Sequence, residues 1–149
     1  MQTLTDPSVV PPRPSWLLGA SVAGVLWNLY GIYQFAGTLT PAGQAAMTAG
    51  MTGEQARVYL SLPGWITLVF ALGVFGGLAG SLGLALRRRW ARAVLAASFG
   101  GYVLLFLGDA GYGVFTALPS QLGILALVVL IAAGLGFASW QADQRGLLR

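Results

Sequence analysis

The sequence between residues 64 and 107 reads GWITLVFALGVFGGLAGSLGLALRRRWARAVLAASFGGYVLLFL, and it determines the architecture of the chain. Two apolar segments, 64–86 and 91–107, are separated by a short turn that contains Arg87, Arg88 and Arg89. Each segment has roughly the 17 to 25 residues that a helix needs to cross the hydrocarbon core of a bilayer. Because the turn is so short, the two helices must be antiparallel neighbours. This stretch therefore predicts a transmembrane helical hairpin.

Two further apolar segments bring the predicted number of membrane spans to four. The first covers 16–35 and carries no charge, and the last covers 119–140, beginning at a proline. The predicted transmembrane domain is thus 16–140, preceded by a proline-rich tail at 1–15 and followed by a short tail at 141–149. We expect an all-α fold, an integral membrane four-helix bundle.

The connection between the first two spans, 36–62, is the longest polar segment of the chain and contains two helix-start signals. Thr40 followed by Pro41 is typical of an N-cap with proline at the first helical position. Thr52 and Gln55 have the spacing of a capping box. The sequence therefore predicts a short amphipathic helical loop between helices 1 and 2, lying at the membrane surface.

The composition excludes several classes of function. Hydrophobic residues make up 56% of the chain and charged residues only 8%, against about 25% charged in a soluble domain, so the lipid bilayer must be the main partner of the surface. The chain contains no cysteine, histidine or lysine. It therefore lacks thiolate nucleophiles, Schiff-base lysines, the commonest general base and the commonest metal ligands. We expect no metal, no cofactor and no enzymatic activity, although a pigment, quinone or lipid held non-covalently stays open.

The arginines predict the orientation of the bundle. Seven of the eight basic residues fall on one side of a four-span chain: Arg13, Arg87, Arg88, Arg89, Arg92, Arg145 and Arg149. Only Arg57 falls on the other side. By the positive-inside rule, both termini are expected in the cytoplasm. Because the arginines cluster at the ends of apolar segments rather than along a polar face, we expect no binding to nucleic acid.

Small residues predict how the central hairpin packs, because helices in lipid approach closely where side chains are small. On the second span the small face consists of Gly73, Gly76, Gly77, Gly80, Ser81 and Gly83. On the third span it consists of Ala93, Ala96, Ala97 and Gly100. Counting from the turn places Gly80 and Gly100 at similar depths, so we expect the two faces to meet. The alternative is a groove for a helix of another protein or for a lipid.

Five polar residues are candidates for a ligand or ion site in the half of the bundle away from the arginine turn: Asp109, Asn28, Gln34, Tyr33 and Tyr102. An ionisable residue attached to a membrane span is a candidate functional residue. At the edge of the hydrocarbon, Asp109 is also explained as a solvated interfacial residue or as the partner of Arg57. The other four could equally form hydrogen bonds between helices.

The stretch from Trp27 to Trp90 resembles a family of small bacterial four-helix membrane proteins of unknown role, which often carry an automatic sugar-transporter-like label. The resemblance lies in the following motifs: Leu26-Trp27-Asn28 with Gly31, Met51-Thr52 with Glu54-Gln55, Leu62-Pro63-Gly64-Trp65, Ala71-Leu72-Gly73-Val74, Gly80-Ser81 and Leu86-Arg87-Arg88-Arg89-Trp90-Ala91. It implies a multi-pass protein of the bacterial cytoplasmic (inner) membrane. Family members commonly have an aspartate where this chain has Gln34, which puts a shared ligand or ion site in doubt here.

Two classes of function are compatible with these features. The first is an accessory or assembly subunit of a larger membrane complex, which binds other transmembrane helices through its glycine-rich faces. The alternative is a small-solute transporter, with a sugar as one candidate solute, and four helices would then require a homo-oligomer to enclose a path. We expect the accessory subunit and keep the transporter as the alternative, because no span is interrupted by proline and no charge lies near the midplane, where carriers usually bind their solute.

Overall fold

A computed structural model describes residues 14–149 of the protein, and this part of the chain is helical without any β-strand. The predicted proline-rich tail falls almost wholly on residues 1–13, outside the described residues. The helices, in chain order, are α1 (Ser15–Thr38), α2 (Pro41–Thr48), α3 (Gly53–Leu60), α4 (Gly64–Ala85), α5 (Trp90–Gly111), α6 (Val114–Ala117) and α7 (Pro119–Gln144).

Four of these helices, α1, α4, α5 and α7, are long and apolar enough to cross a membrane, with 22 to 26 residues each. The prediction of an all-helical chain with four such helices is confirmed. Their outward surfaces are apolar, and Leu68 and Leu130, for example, are 71% and 68% exposed. Apolar surface of this extent fits a multi-pass membrane protein.

The helices extend beyond the apolar segments from which they were predicted. α5 continues to Gly111 rather than ending near residue 107, and α7 continues to Gln144 rather than 140. Hydropathy marks where the hydrocarbon ends, whereas a helix continues until the backbone is interrupted. The interruptions here are Gly113 and Gly146, both with positive φ. Asp109 consequently lies in the last turn of α5 rather than in a loop.

The four long helices form a bundle in which α4 is central. It packs against α1 on one side and α5 on the other, and α5 also packs against α7. A smaller contact between α1 and α7 closes the bundle. The predicted antiparallel hairpin corresponds to the α4–α5 pair, which is the most extensive helix contact in the described chain.

The small residues of α4 lie at helix interfaces, but they serve two neighbours rather than one. A Cβ atom added at Gly73, Gly76, Gly80 or Gly83 would meet α5, whereas one at Gly77 would meet the Asn28 amide of α1. Ser81, which is fully buried, lies against Gly24 of α1. The α4 glycines thus allow close approach on both sides of the central helix.

The prediction that the small residues of α5 face α4 is wrong. Ala93, Ala96 and Ala97 are exposed, and a Cβ atom at Gly100 would meet nothing. α5 instead turns larger side chains toward the grooves left by the α4 glycines, including Leu95, Ser98 and Tyr102. Large side chains filling small-residue grooves give denser packing than two small faces would.

The prediction that Gly80 and Gly100 lie at similar depths is also wrong. Gly80 lies level with Leu95 of α5, and Gly73 lies level with Gly101 and Tyr102. The turn between Ala85 and Trp90 is so short that residues equally distant from it face each other. Gly100 is therefore too far along α5 to reach Gly80.

The arginine turn and the last residues of the chain form one end of the bundle, here called the arginine end. Arg87 ends α4 with φ of 60°, and the Arg88 N–H donates to the Gly83 carbonyl at 2.8 Å, as in a Schellman cap. Arg87 Nε donates to the Leu147 carbonyl at 2.7 Å, and the Arg149 N–H donates to the Arg87 carbonyl at 2.6 Å. The C-terminal residues are thus fixed to the arginine turn.

Two further contacts at the arginine end join α7 to its neighbours. Arg92 of α5 forms an ion pair with Asp143 at 2.7 Å. The Arg145 guanidinium lies 5.5 Å from the centre of the Trp16 ring, within range of a cation–π interaction. The arginines that the sequence marked as topology determinants therefore also have structural contacts.

The opposite end, here called the loop end, carries α2, α3 and α6. Both predicted helix starts are present: Thr40 Oγ1 accepts from the Gly43 N–H at 3.1 Å, and Thr52 and Gln55 form a reciprocal capping box. The Gln55 side chain also donates to the Ala117 carbonyl at 3.0 Å. This bond attaches α3 to α6 and holds the loop over the end of the bundle.

Candidate ligand cavity

A partly enclosed cavity of about 430 Å³ lies at the loop end of the bundle. Polar side chains from six helices line it: Gln34 on α1, Gln44 on α2, Tyr59 on α3, Thr67 on α4, Asp109 on α5 and Gln121 on α7. The volume falls within the range of about 300 to 1,000 Å³ typical of small-molecule sites. The long helices form its walls, and the α2–α3 segment covers it.

Much of the wall is apolar. Aliphatic, aromatic and thioether side chains make up this part: Trp27, Gly31, Met47, Met51, Leu60, Leu62, Ile66, Phe70, Leu105, Ile124, Leu125 and Val128. An apolar wall with a few convergent polar groups is the usual composition of a ligand pocket. The two methionines come from the α2–α3 segment, and methionine adapts its shape to different contacts.

Asp109 is the most unusual residue of the cavity. Its side chain is only 4% exposed, and its Oδ1 atom has no hydrogen-bond partner among residues 14–149. A buried carboxylate without a partner is costly and is rarely found without a functional reason. The sequence left open that Asp109 pairs with Arg57. This pair is not present, because Arg57 forms its ion pair with Glu54 on the exposed side of α3.

Tyr59 shows how the loop covers Asp109. Burial raises the pKa of the Tyr59 hydroxyl above its ordinary value, and the negative charge of Asp109 raises it further. Tyr59 on α3 and Asp109 on α5 both line the cavity, so the loop and the end of α5 contribute to the same wall.

A layer of hydrogen bonds closes the cavity toward the middle of the bundle. The Tyr102 hydroxyl donates to Asn28 Oδ1 at 3.2 Å, and Asn28 Nδ2 donates to the Gly24 carbonyl at 2.8 Å. Ser98 Oγ donates to the Gly73 carbonyl at 2.6 Å. The space around Asn28, Gly77 and Ser98 has no room for a water molecule. The Asn28–Tyr102 pair, here called the floor, therefore separates the cavity from the arginine end.

The structure brings together most of the polar candidates from the sequence. Asp109, Gln34 and Tyr102 line the cavity, and Asn28 lies behind Tyr102 in the floor. Tyr33 does not belong to the site, because its side chain is 73% exposed on the outer surface of α1. Asp109, Gln34 and Tyr102 are thus placed for contact with one ligand.

Sequence reasoning missed the part of the site that the loop supplies. Tyr59 and Gln44 line the cavity from α3 and α2, and Gln44 also donates to the Thr38 carbonyl at 2.8 Å. The capping signals predicted the two short helices, but they do not indicate which side faces the bundle. Gln121 was missed as well, because one polar residue near a helix start is common.

The donor groups do not suit a metal ion. Within residues 14–149 there is no group of three or more histidine, cysteine, aspartate or glutamate side chains that could hold one. A single carboxylate with amide and hydroxyl neighbours is better suited to hydrogen bonding with an organic molecule.

Comparison with known proteins gives no relative from which a function could be transferred. No protein-family model matches the chain, and neither the curated proteins nor the solved structures include a match. The resemblance to small bacterial membrane proteins therefore stays a prediction.

Proposed function

We propose that this protein is a multi-pass integral membrane protein that binds a small molecule in the loop-end cavity and does not transform it chemically. The observation that carries the proposal is the buried Asp109, whose Oδ1 atom lacks a partner in the described structure, beside a cavity of about 430 Å³. A ligand that contacts this carboxylate would remove the cost of leaving it unpaired.

The proposed orientation places the arginine end in the cytoplasm and the loop end outside, in a bacterial cytoplasmic membrane. The positive-inside rule supports it, because six of the seven arginines among residues 14–149 lie at the arginine end and only Arg57 lies in the loop. Trp16, Trp90 and Trp140 are at the arginine end of their helices, where an aromatic belt is expected. The cavity would then take its ligand from the outer side.

Binding without catalysis is supported by the chemistry of the wall. General acid–base catalysis requires a titratable group placed to exchange a proton with the substrate, and a second group usually completes the exchange. Asp109 is the one acidic residue among the described residues that line the cavity, and the chain has no histidine, cysteine or lysine.

Transport by an oligomer is an extension of the same proposal. The cavity supplies a binding site on one side of the bundle, but the floor formed by Asn28 and Tyr102 leaves no room for water beyond it. A transport cycle would have to break that hydrogen bond and separate α1 from α5. Alternating access of this kind is how carriers move a solute past a closed layer.

A second candidate function is an accessory subunit of a membrane complex. The glycine face of α4 is filled within the bundle, so it cannot serve a partner helix. The small face of α5 is exposed, however, and consists of Ala93, Ala96, Ala97 and Gly100. A small-residue face permits close approach of another transmembrane helix.

The binding proposal is tested by filling the cavity. In Thr67→Trp the large ring would occupy part of the cavity, whereas Leu68→Trp places the same ring on the outer surface, where Leu68 is 71% exposed. The two variants and the wild type are purified from the native membrane, and bound small molecules are extracted and measured by mass spectrometry. We expect a molecule that is retained by the wild type and Leu68→Trp but lost from Thr67→Trp. Equal retention by all three, or none by any, would overturn the proposal.

The subunit candidate is tested on the same preparations. If α5 binds a partner helix, Ala96→Phe should lose a larger complex that the wild type retains after gentle solubilisation, because the ring prevents close approach. Leu104→Phe is the matched control, since Leu104 is an exposed large side chain on the same helix. The wild type migrating without partners would rule against this candidate.

A further inference from the structure

The cavity wall holds one acidic side chain without a basic partner. Asp109 lines the cavity, and among the described lining residues there is no arginine to balance it. The one arginine of the loop, Arg57, is paired with Glu54 on the exposed side of α3. An anionic ligand would meet repulsion here and would lose its hydration without gaining a partner.

Aromatic rings surround the same space. Tyr59, Trp27, Tyr102 and Phe70 line the cavity, and Tyr59 lies close enough to Asp109 for the carboxylate to affect its ionisation. The faces of aromatic rings attract cations and tolerate apolar groups. A positive group at Asp109 would therefore have both a counter-ion and polarisable neighbours.

Apolar side chains line the cavity at every depth. Met47, Met51 and Leu60 come from the loop, whereas Leu105 and Val128 lie deeper, toward the floor. A ligand that matches this wall has an apolar body and a polar head at Asp109.

We propose that the ligand of this cavity is an organic cation with an apolar body, whose positively charged group pairs with Asp109. The inference rests on the proposed binding function and specifies its ligand class. The buried carboxylate supplies the counter-ion, the Tyr59 ring lies near it, and the apolar wall holds the body. Sugars and other uncharged polyols can donate hydrogen bonds to Asp109 but supply no counter-ion, so they are poorer partners for this wall.

The test uses three probes with the same apolar body and different head groups: 4-phenylbutylammonium, 4-phenylbutanol and 4-phenylbutanoate. Full-length protein is placed in phosphatidylcholine nanodiscs, and binding is measured by equilibrium dialysis with empty nanodiscs as the blank. We expect the ammonium probe to bind at least about tenfold more tightly than the alcohol, because a charged donor and a charged acceptor form an ion pair as well as a hydrogen bond. We expect the carboxylate to bind most weakly.

Two variants separate the role of Asp109 from a general effect of acidic charge. Asp109→Asn keeps the shape of the side chain, and we expect it to bind the ammonium and alcohol probes within about threefold of each other. Glu54→Gln removes the exposed acidic residue of the loop, which already pairs with Arg57, and should keep the wild-type preference. Retention of the alcohol by Asp109→Asn shows that the variant is folded.

The possible results distinguish this inference from the function on which it rests. A wild type that fails to bind the ammonium probe, or that binds it no better than the alcohol or the carboxylate, overturns the cation inference. Preservation of the ammonium preference in Asp109→Asn overturns it as well. The binding function itself is overturned only by the Thr67→Trp experiment, because that experiment assumes nothing about the charge of the ligand.

Discussion

The Tyr102 hydroxyl donates a hydrogen bond to Asn28 Oδ1 at 3.2 Å, which connects α5 to α1 past Gly77 of α4, where an added Cβ would meet the Asn28 amide. Asn28 in turn donates to the Gly24 carbonyl of its own helix. The absence of a side chain at Gly77 is what gives the Asn28 amide room to reach Tyr102. A glycine on the central helix therefore allows a polar contact between its two neighbours.

Loss of this hydrogen bond should have a modest and measurable cost. We expect Tyr102→Phe to lower the free energy of unfolding by about 0.6 kcal/mol, the average for such bonds between membrane helices. Asn28→Leu should cost more, because the larger branched side chain would press on Gly77 and leave the Tyr102 hydroxyl buried without its acceptor. Unfolding by sodium dodecyl sulfate in mixed micelles, followed by circular dichroism, measures both. Tyr33→Phe is the control, since Tyr33 is 73% exposed and should show no change.

Alanine substitutions should distinguish glycines that lie at a helix interface from glycines where an added side chain meets nothing. Gly77→Ala is expected to destabilise the protein by about 1 to 3 kcal/mol, because its Cβ would overlap the Asn28 amide. Gly100→Ala should be neutral or slightly stabilising, because a Cβ there meets nothing and alanine favours helix over glycine. The same unfolding assay applies. Equal destabilisation by the two substitutions would contradict the observed rotation of α5 and restore the predicted contact between small faces.

Arg87 and Arg88 should differ in their effect on stability although they are neighbours in sequence. Arg87 is 7% exposed and donates to the Leu147 carbonyl, so Arg87→Ala should cost about 1.5 to 3 kcal/mol. Arg87→Gly should recover about 1 kcal/mol of that loss, because glycine adopts the positive φ of this position without strain. Arg88 is exposed, and Arg88→Ala should have no measurable effect in the same assay.

The ionisation of Tyr59 reports on its distance from Asp109. Its pKa is raised by burial first and by the Asp109 charge second, so Asp109→Asn should lower the pKa of Tyr59 while leaving it above 10.0, the value of a free tyrosine. The measurement is the absorbance at 295 nm during alkaline titration, taken as the difference from Tyr59→Phe. An unchanged Tyr59 pKa in Asp109→Asn would place the two groups apart.

The same shift has a consequence for stability at alkaline pH. Because the folded pKa of Tyr59 lies above the unfolded one, the protonated hydroxyl stabilises the fold below about pH 10. This contribution decreases above that pH and is lost as the pH passes the folded pKa. Tyr59→Phe should therefore lose less stability than the wild type between about pH 9 and pH 11, as measured by thermal unfolding.

The orientation can be tested with single cysteines, because the chain has none of its own. Ala46 on α2 and Arg88 in the arginine turn are both exposed, so a cysteine at either position should react without disturbing the fold. In intact cells, a membrane-impermeant maleimide should label Ala46→Cys and leave Arg88→Cys unlabelled until the cells are opened. The reverse pattern would invert the proposed orientation, and with it the side from which the cavity takes its ligand.

The four long helices could be predicted from the sequence because hydropathy is a local property that dominates the choice of secondary structure in lipid. The loop helices were also predicted, since the caps at Thr40 and Thr52 are local signals. The rotation of α5 could not be predicted in the same way. Both faces of this helix are apolar enough to contact lipid. Whether the face with Leu95 or the face with Gly100 packs against α4 depends on how side chains fill the α4 grooves.

The site was predictable in part. Asp109 was identifiable as the one acidic residue on a span, and Gln34 and Tyr102 as polar residues at the same end. Their common cavity depends on the docking of α2 and α3, which is set by tertiary contacts such as the close backbone approach of Gly43 to Gly37. No local pattern indicates that contact, and Tyr59 was missed for this reason.

The floor also determines where a membrane voltage would act. In the proposed orientation the partly enclosed cavity lies on the outer side of Tyr102, while the space beyond it has no room for water. Most of the voltage then falls between the floor and the arginine end, where moving one charge through the full field is worth about 2.3 kcal/mol per 100 mV. A cation that stops at Asp109 crosses little of this field. Its binding would be nearly independent of voltage, whereas passage beyond the floor would be strongly driven by a negative cell interior.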